Sequence, residues 1–354
     1  MKANIVLLPG DGIGPEVVAS GRRVLEAVAR RHGHLFNFET HDIGGVAIDN
    51  HGDPLPAATE AACRASDAVL LGAVGGPQWD DPKRRIRPEQ GLLSLRRALG
   101  VYANIRPVKA SPSLIDISPL KPDRVRGVDF VVVRELTGGV YFGHPKFREK
   151  TADGGERAVD TMEYSDGEIR RVTKLAFELA TQRKGHLTSV DKANVLETSR
   201  LWRQVVDKVA RDYPGVTLDH RLVDSAAMQL VTQAPSFDVI VTENMFGDIL
   251  TDEAAVIVGS LGLLPSASLG ATGPGLYEPV HGSAPDIAGQ GIANPIGTIL
   301  SAAMLLRHSL RLDGAAREVE RAVEQALASG VRTRDLGGTA TTRELEDAIL
   351  AALG

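Results

Sequence analysis

The stretch Ile5-Val-Leu-Leu-Pro-Gly-Asp-Gly-Ile-Gly-Pro15 runs from an apolar strand through a glycine-rich turn into a helix. It separates two kinds of α/β fold. A dinucleotide-binding fingerprint places its third glycine five positions after the first, where helix and strand pack closely. Here the glycines fall at positions 10, 12 and 14, and Pro15 occupies the position the fingerprint reserves for glycine. A proline in the first helical turn costs no needed N–H and opens the helix. The stretch predicts a tight strand-to-helix turn beside a ligand, not a standard Rossmann motif.

Outward from this turn, strand-like and helix-like segments alternate along most of the 354 residues, the pattern of an α/β protein. The first helix carries Val18, Val24, Leu25 and Val28 inward and stops near Gly33. A second runs from about Glu168 to Lys184 with Gly185 as its C-cap, and a third from about Leu196 to Tyr213. Thr341-Thr-Arg-Glu344 has the form of a capping box. The charged, glycine-rich segment from Lys146 to Glu156 reads as an exposed loop or hairpin arm. Val239-Ile-Val241 reads as a buried strand, Gly247 as the turn after it, and the residues from Asp248 as a helix.

Bulk properties narrow the function classes. Hydrophobic content is 43% and charged content 24%, ordinary for a globular protein. A net charge of −5 without a basic run argues against nucleic acid as a partner. The single cysteine, Cys63, excludes a disulfide framework within the chain, suits a reducing cytoplasm and reads as a small buried residue. No apolar stretch approaches the roughly 20 residues of a membrane helix, so no membrane partner is expected. Only four consecutive apolar residues precede Pro9, too few for a signal peptide's apolar region, and they read as a first strand.

The chemistry concentrates in a few segments. Asp248 and Asp252 are four apart, so a helix puts both carboxylates on one face. Close carboxylates repel unless a cation or a shared proton lies between them, and a hard divalent ion such as Mg²⁺ or Mn²⁺ suits such oxygen ligands. The alternative is an acidic first turn favoured by the helix dipole. Glu278-Pro-Val-His-Gly-Ser-Ala-Pro-Asp-Ile-Ala-Gly-Gln-Gly-Ile-Ala-Asn-Pro295 has no helix or strand period and reads as a rigid loop whose N–H groups approach phosphates. Its Asp286 suits the two hydroxyls of an adenosine ribose and repels a 2′-phosphate, which favours NAD over NADP. The alternative is a long structural loop.

Arg96, Arg106 and Arg134 fall near segment ends, and three guanidinium forks suit a di-acid, although solvated surface arginines are commoner. Tyr141 is a potential proton donor or a core tyrosine. Lys192 and Asn194 share one face of an extended segment, and a lysine whose pKa is lowered by its surroundings serves as a base. An exposed lysine is the usual outcome. Asp224 is a candidate third carboxylate for the metal.

Together these segments resemble one family along the whole chain, the metal-dependent decarboxylating dehydrogenases of β-hydroxy acids (the isocitrate/isopropylmalate dehydrogenase family). The match covers the turn from Gly10 to Glu16, Glu89-Gln-Gly-Leu-Leu-Ser-Leu-Arg96, Arg106 and Arg134-Glu-Leu-Thr-Gly-Gly-Val-Tyr141. It continues through Asp191-Lys-Ala-Asn194, Asp224-Ser-Ala-Ala-Met228, Asn244-Met-Phe-Gly-Asp-Ile-Leu-Thr-Asp252 and His281-Gly-Ser-Ala-Pro-Asp286. The resemblance implies a two-domain α/β fold that is not a Rossmann fold. Residues 1–102 and 259–354 would form the cofactor domain, and 103–258 the substrate, metal and dimerisation domain.

The resemblance also implies roles. Arg96, Arg106 and Arg134 would hold the substrate carboxylates. Asp224, Asp248 and Asp252 would bind Mg²⁺ or Mn²⁺. Lys192 would take the hydroxyl proton, and Tyr141 would protonate the enol left when CO₂ departs. NAD would lie on the loop bearing His281, Gly282, Ser283, Ala284, Asp286, Ile287 and Asn294, with Ile13, Glu89 and Asp335 as further contacts. The protein would be a homodimer in which Lys192, Asn194 and Asp224 are lent to the neighbour's site.

Substrate choice rests on the residues before Arg96. Isocitrate-using relatives carry Ser and Asn where this chain has Gln90 and Leu92. Leu92 and Leu93 offer apolar surface for an isopropyl group, and Glu89 would repel a third carboxylate. The resemblance thus implies NAD-dependent oxidative decarboxylation of 3-isopropylmalate to 4-methyl-2-oxopentanoate in leucine biosynthesis. Tartrate, malate, homoisocitrate or isocitrate are alternative substrates. A silent regulatory subunit would be expected to lack some of Tyr141, Lys192 and Asp248, all present here. A phosphoryl-transfer enzyme would need a phosphate loop that this sequence lacks.

Overall fold

The computed structural model describes residues 1–81 and 84–354. The chain divides into two compact units. One comprises Met1–Val101, Ala110–Pro122 and Ala255–Gly354; the other comprises Tyr102–Lys109 and Asp123–Ala254. The boundaries lie within a few residues of the expected ones at 101–102 and 254–259, and differ more at residues 110–122. Residues 110–122 join the unit built from the chain ends, because Ser111 donates to Glu324 at 2.8 Å and Asp116 pairs with Arg332 at 2.8 Å. Partners more than 200 residues away are invisible to local sequence patterns.

In the end-built unit, strands lie in the order Leu35–Thr40, Lys2–Gly10, Ala68–Ala73, Gly275–Pro279, Pro265–Leu269. The first four are parallel and the last antiparallel to its neighbour. Ala68–Ala73 is buried along its whole length, as expected of a parallel strand covered on both faces. Helix Gly14–His32 starts with Pro15 in its first turn and ends at Gly33, whose φ of +66° closes the last turn. Helix Ile296–His308 is buried nearly all round, whereas the helices Asp313–Ala328 and Thr342–Leu353 each bury one face. Cys63 is fully buried, and burial pushes its thiol up to about 12, so it behaves as a small apolar residue.

The glycines of the first turn serve close approach. Gly12 has φ +59°, and a Cβ there would stand 1.9 Å from the Ser283 carbonyl oxygen. The Ile13 N–H donates to that same oxygen at 2.8 Å. The loop after Gly275–Pro279 is thereby seated on the turn that opens the chain.

In the middle unit, strands lie in the order Ala103–Lys109, Asp129–Glu135, Val239–Thr242, His186–Asp191, Thr217–Leu222. The first pair is antiparallel and the others are parallel. Helix Asp166–Thr181 starts at a capping box made by Ser165 and Glu168. Helices Glu197–Ala210 and Val223–Gln233 follow. Strands Lys146–Lys150 and Glu156–Asp160 form a separate exposed antiparallel hairpin.

Helix Asn244–Ile257 begins four residues earlier than the sequence suggests, so Gly247 lies inside it and not in a turn. Its start is set by Glu243, whose carboxylate accepts the N–H groups of Met245 at 3.2 Å and Phe246 at 2.7 Å. Gly247 is required by packing, since a Cβ there would lie 2.6 Å from Arg134 Cγ.

Candidate active site

Because the helix begins at Asn244, Asp248 sits in its second turn, not the first. The helix dipole is therefore a poor explanation for Asp248 and Asp252. Both face the ends of two strands. Arg134, at the end of Asp129–Glu135, reaches Asp248 with Nη1 2.5 Å from Oδ1. Arg106, on Ala103–Lys109, lies 3.7 Å from Asp248 and 3.7 Å from Asp252. The guanidiniums are 3% and 8% exposed, against 37% and 64% for Asp248 and Asp252. Two buried cations thus back two carboxylates that face outward.

The arginines are held by neutral groups. Asn244 Oδ1 accepts from Arg134 Nε at 3.1 Å and Nη2 at 2.8 Å. Arg106 donates to Asn104 Oδ1 at 2.7 Å and to Thr251 Oγ1 at 2.6 Å. Such forks are fixed before a ligand arrives, which lowers the cost of binding a carboxylate. Tyr141 donates its hydroxyl to Asp248 Oδ2 at 3.0 Å. Burial first, then the charge of Asp248, push the Tyr141 phenol up, so it stays protonated at neutral pH. Asp252 is also pushed up, mainly by burial, with the Arg106 charge opposing and the Asp248 charge adding.

Two hard carboxylates on successive turns fit a divalent cation of the Mg²⁺ or Mn²⁺ kind. Asp224 is not gathered to them. Among the described residues no three His, Cys, Asp or Glu converge as a metal group. Asp224 instead pairs with Lys192, Nζ to Oδ1 2.5 Å, and this hydrogen bond holds its carboxyl below the usual range. Lys192 follows a rigid strand end, where buried Asp191 is clamped by Arg203 at 2.9 Å through both oxygens. Asn194 lies exposed in the next turn.

In the end-built unit, Arg96 is buried and paired with Glu278 at 2.7 Å, while its Nε has no hydrogen-bond partner. Leu92 and Leu93 are half-buried on helix Pro88–Leu99, and Glu89 is exposed. The Glu89 carboxylate lies over Gly75, where a Cβ would come within 2.9 Å of it.

On the loop, Ile13 packs with Ala284, Ile287 and Ala288. His281 Nε2 is buried without a partner, and burial lowers the imidazole pKa, keeping the ring neutral. Ala284 adopts a positive φ of 38°, and no Cβ obstacle lies within 4 Å of Gly282. An orphaned ring nitrogen beside open glycine backbone fits a polar, partly aromatic ligand such as a dinucleotide. Asp286 is exposed. Asp335 is engaged structurally, through Ser260 at 2.5 Å, Asn294 at 2.9 Å and Thr333 at 2.6 Å. That anchoring favours a role in shaping the loop over direct contact.

Sequence reasoning missed Asn244, Glu243 and Tyr164. Asn244 lay within a quoted motif but carries no charge. Tyr164 precedes an N-cap serine and has no motif of its own.

Comparison with known proteins identifies the family of the chain. The family model described as isocitrate/isopropylmalate dehydrogenase matches residues 4–349. The chain is 63% identical to the 3-isopropylmalate dehydrogenase of Anaeromyxobacter dehalogenans (strain 2CP-C), over 100% of both chains. It is 58% identical to that of Bacillus subtilis (strain 168), over 100% of this chain and 98% of the relative. Among solved structures, isocitrate dehydrogenase from Methylococcus capsulatus superposes with TM-score 0.87 at 35% identity, covering 99% of each chain. A beta-decarboxylating dehydrogenase from Thermococcus kodakarensis gives 0.80 at 38% identity, covering 99% of this chain and 96% of that one. The chain belongs to the isocitrate/isopropylmalate dehydrogenase family.

Proposed function

We propose that this chain carries out the oxidative decarboxylation of 3-isopropylmalate to 4-methyl-2-oxopentanoate and CO₂, a step of leucine biosynthesis, with NAD and Mg²⁺ or Mn²⁺. The observation that carries this reading is the cluster of Arg106, Arg134, Tyr141, Asp248 and Asp252, in a chain whose full-length relatives bear that name. Arg96, Arg106 and Arg134 bind the two carboxylates. When bound, the metal would supply Lewis-acid charge and the nicotinamide would supply the hydride acceptor.

Asp248 and Asp252 provide metal ligands from one chain. Asp224 provides the third from a second copy, which also contributes Lys192 and Asn194. Lys192 Nζ removes the hydroxyl proton, and the Tyr141 hydroxyl delivers a proton to C3 once CO₂ has left. His281, Gly282, Ser283, Ala284, Ile287 and Asn294 hold NAD, with Ile13 beneath them and Asp335 shaping the loop. Asp286 accepts from the adenosine ribose, and Glu89 lies near the nicotinamide.

A homodimer is supported by exposed apolar residues on the middle unit: Val195 at 61%, Met228 at 63% and Ile249 at 60%. The test is absorbance of the reduced nicotinamide on mixing the protein with 3-isopropylmalate, NAD and Mg²⁺. Turnover that stops on chelation and returns with metal is expected. Turnover only with isocitrate or malate, or full turnover after exhaustive chelation, would overturn the reading.

A further inference from the structure

We infer that Tyr164 is a positioning residue for the reaction: it locks the turn bearing Tyr141, the Arg134 fork and the start of the Asp248 helix into one arrangement. The inference rests on the reaction proposed above. Three elements meet on this one side chain. Its hydroxyl accepts the N–H of Asn244 at 2.9 Å and lies 3.3 Å from Glu243 Oε2, to which it donates. Asn244 then divides its amide, taking the Arg134 fork on Oδ1 and donating Nδ2 to the Gly138 carbonyl at 3.2 Å. The tyrosine ring lies directly against the Gly138–Gly139 backbone, where a Cβ would fall 2.6 Å from ring carbon Cε1 or from the hydroxyl oxygen. Gly139 has φ +75°, which side chains rarely adopt. That turn carries Tyr141, whose hydroxyl meets Asp248 at 3.0 Å.

Tyr164 is buried, and its hydroxyl is taken up by the Asn244 N–H and the Glu243 carboxylate. Its ring also meets Trp202 edge-on, with centroids 5.7 Å apart. Burial beside Glu135 and Glu243 keeps the phenol protonated, so it can donate and accept at once. Loss of the hydroxyl leaves the Asn244 N–H without its acceptor and frees the turn to shift. A shift of a fraction of an ångström at a proton donor costs rate more than affinity.

The experiment compares Tyr164→Phe, Trp202→Phe, Tyr141→Phe and the double variant Tyr141→Phe/Tyr164→Phe, with melting temperature recorded for each. Tyr164→Phe should lower kcat about tenfold while KM for NAD stays within twofold. In the Tyr141→Phe background the same change should cost clearly less than in the wild type, because one of the groups being positioned, the proton donor, is already gone. Trp202→Phe should lower the melting temperature yet keep kcat within twofold, which separates positioning from packing. Wild-type kcat in a folded Tyr164→Phe variant would overturn the inference. So would an equal loss in both backgrounds, or an equal kcat loss in Trp202→Phe. An inactive wild-type protein would instead refute the proposed reaction.

Discussion

The cluster around Asp248 and the corner around Lys192 lie in the same unit yet are built in opposite ways. At Asp248, two buried arginines are held by Asn104, Thr251 and Asn244. At Lys192, the strand end is held by the Asp191–Arg203 pair, but the candidate side chains Asp224 and Asn194 stand outward. Asp224 is 60% exposed, Asn194 is exposed and Val195 beside it is 61% exposed. An exposed ion pair contributes little to stability, so its own fold gains little from this corner. The contrast fits the proposed shared site, in which one half is built by the chain's own packing and the other half is presented outward.

The largest expected effect is on the finished half. Asp248→Asn removes the charge of the proposed metal ligand and of the Arg134 partner while keeping the shape. It should lower kcat/KM about 100-fold or more, with weaker metal affinity by titration. Near-wild-type rate in metal-limited buffer would break the assignment.

Next, the two asparagines should behave differently. Asn244→Ala removes the acceptor of Arg134 Nε and Nη2 and should cost about 2 kcal/mol of stability in denaturant unfolding. Asn194→Ala should change stability by less than about 0.5 kcal/mol yet reduce activity. Equal destabilisation by both would erase the distinction between built and presented halves.

The same distinction applies to two loop acids. Asp286→Ser should shift the NAD-to-NADP ratio of catalytic efficiencies about tenfold toward NADP, with stability unchanged. Asp335→Ala should lower stability, because Ser260, Asn294 and Thr333 all use that carboxylate. A wild-type preference for NADP would show that Asp286 has been misread.

A smaller effect belongs to the alkyl pocket. Leu92→Asn with Glu89→Ser should weaken use of 3-isopropylmalate by roughly 1–3 kcal/mol in kcat/KM, the scale of a few buried methylenes. Unchanged kinetics would place the isopropyl group elsewhere.

Much of this was legible in the chain because its signals are local. The four-residue spacing of Asp248 and Asp252, the failed glycine spacing before Pro15, and the Thr341 capping box each depend on neighbours within one turn. The start of the acidic helix was not legible, because its cap is Glu243, a residue type that rarely caps, and Gly247 resembles a turn glycine. The Lys192–Asp224 pair spans 32 residues and two elements, so no spacing rule reaches it. Tyr164 escaped because its value lies in what it packs under. Only the Gly138-Gly139 pair hinted that something flat must lie there.

The half-site claim has a direct test in complementation. Tyr141→Phe and Lys192→Met are each expected to be nearly inactive alone. After unfolding and refolding an equal mixture, half the dimers should be mixed, and one of the two sites in each should be intact. Activity should therefore return to roughly a quarter of refolded wild type. If wild type refolds well and the mixture stays as inactive as its parents, Lys192 serves its own chain and the account of a shared site is wrong.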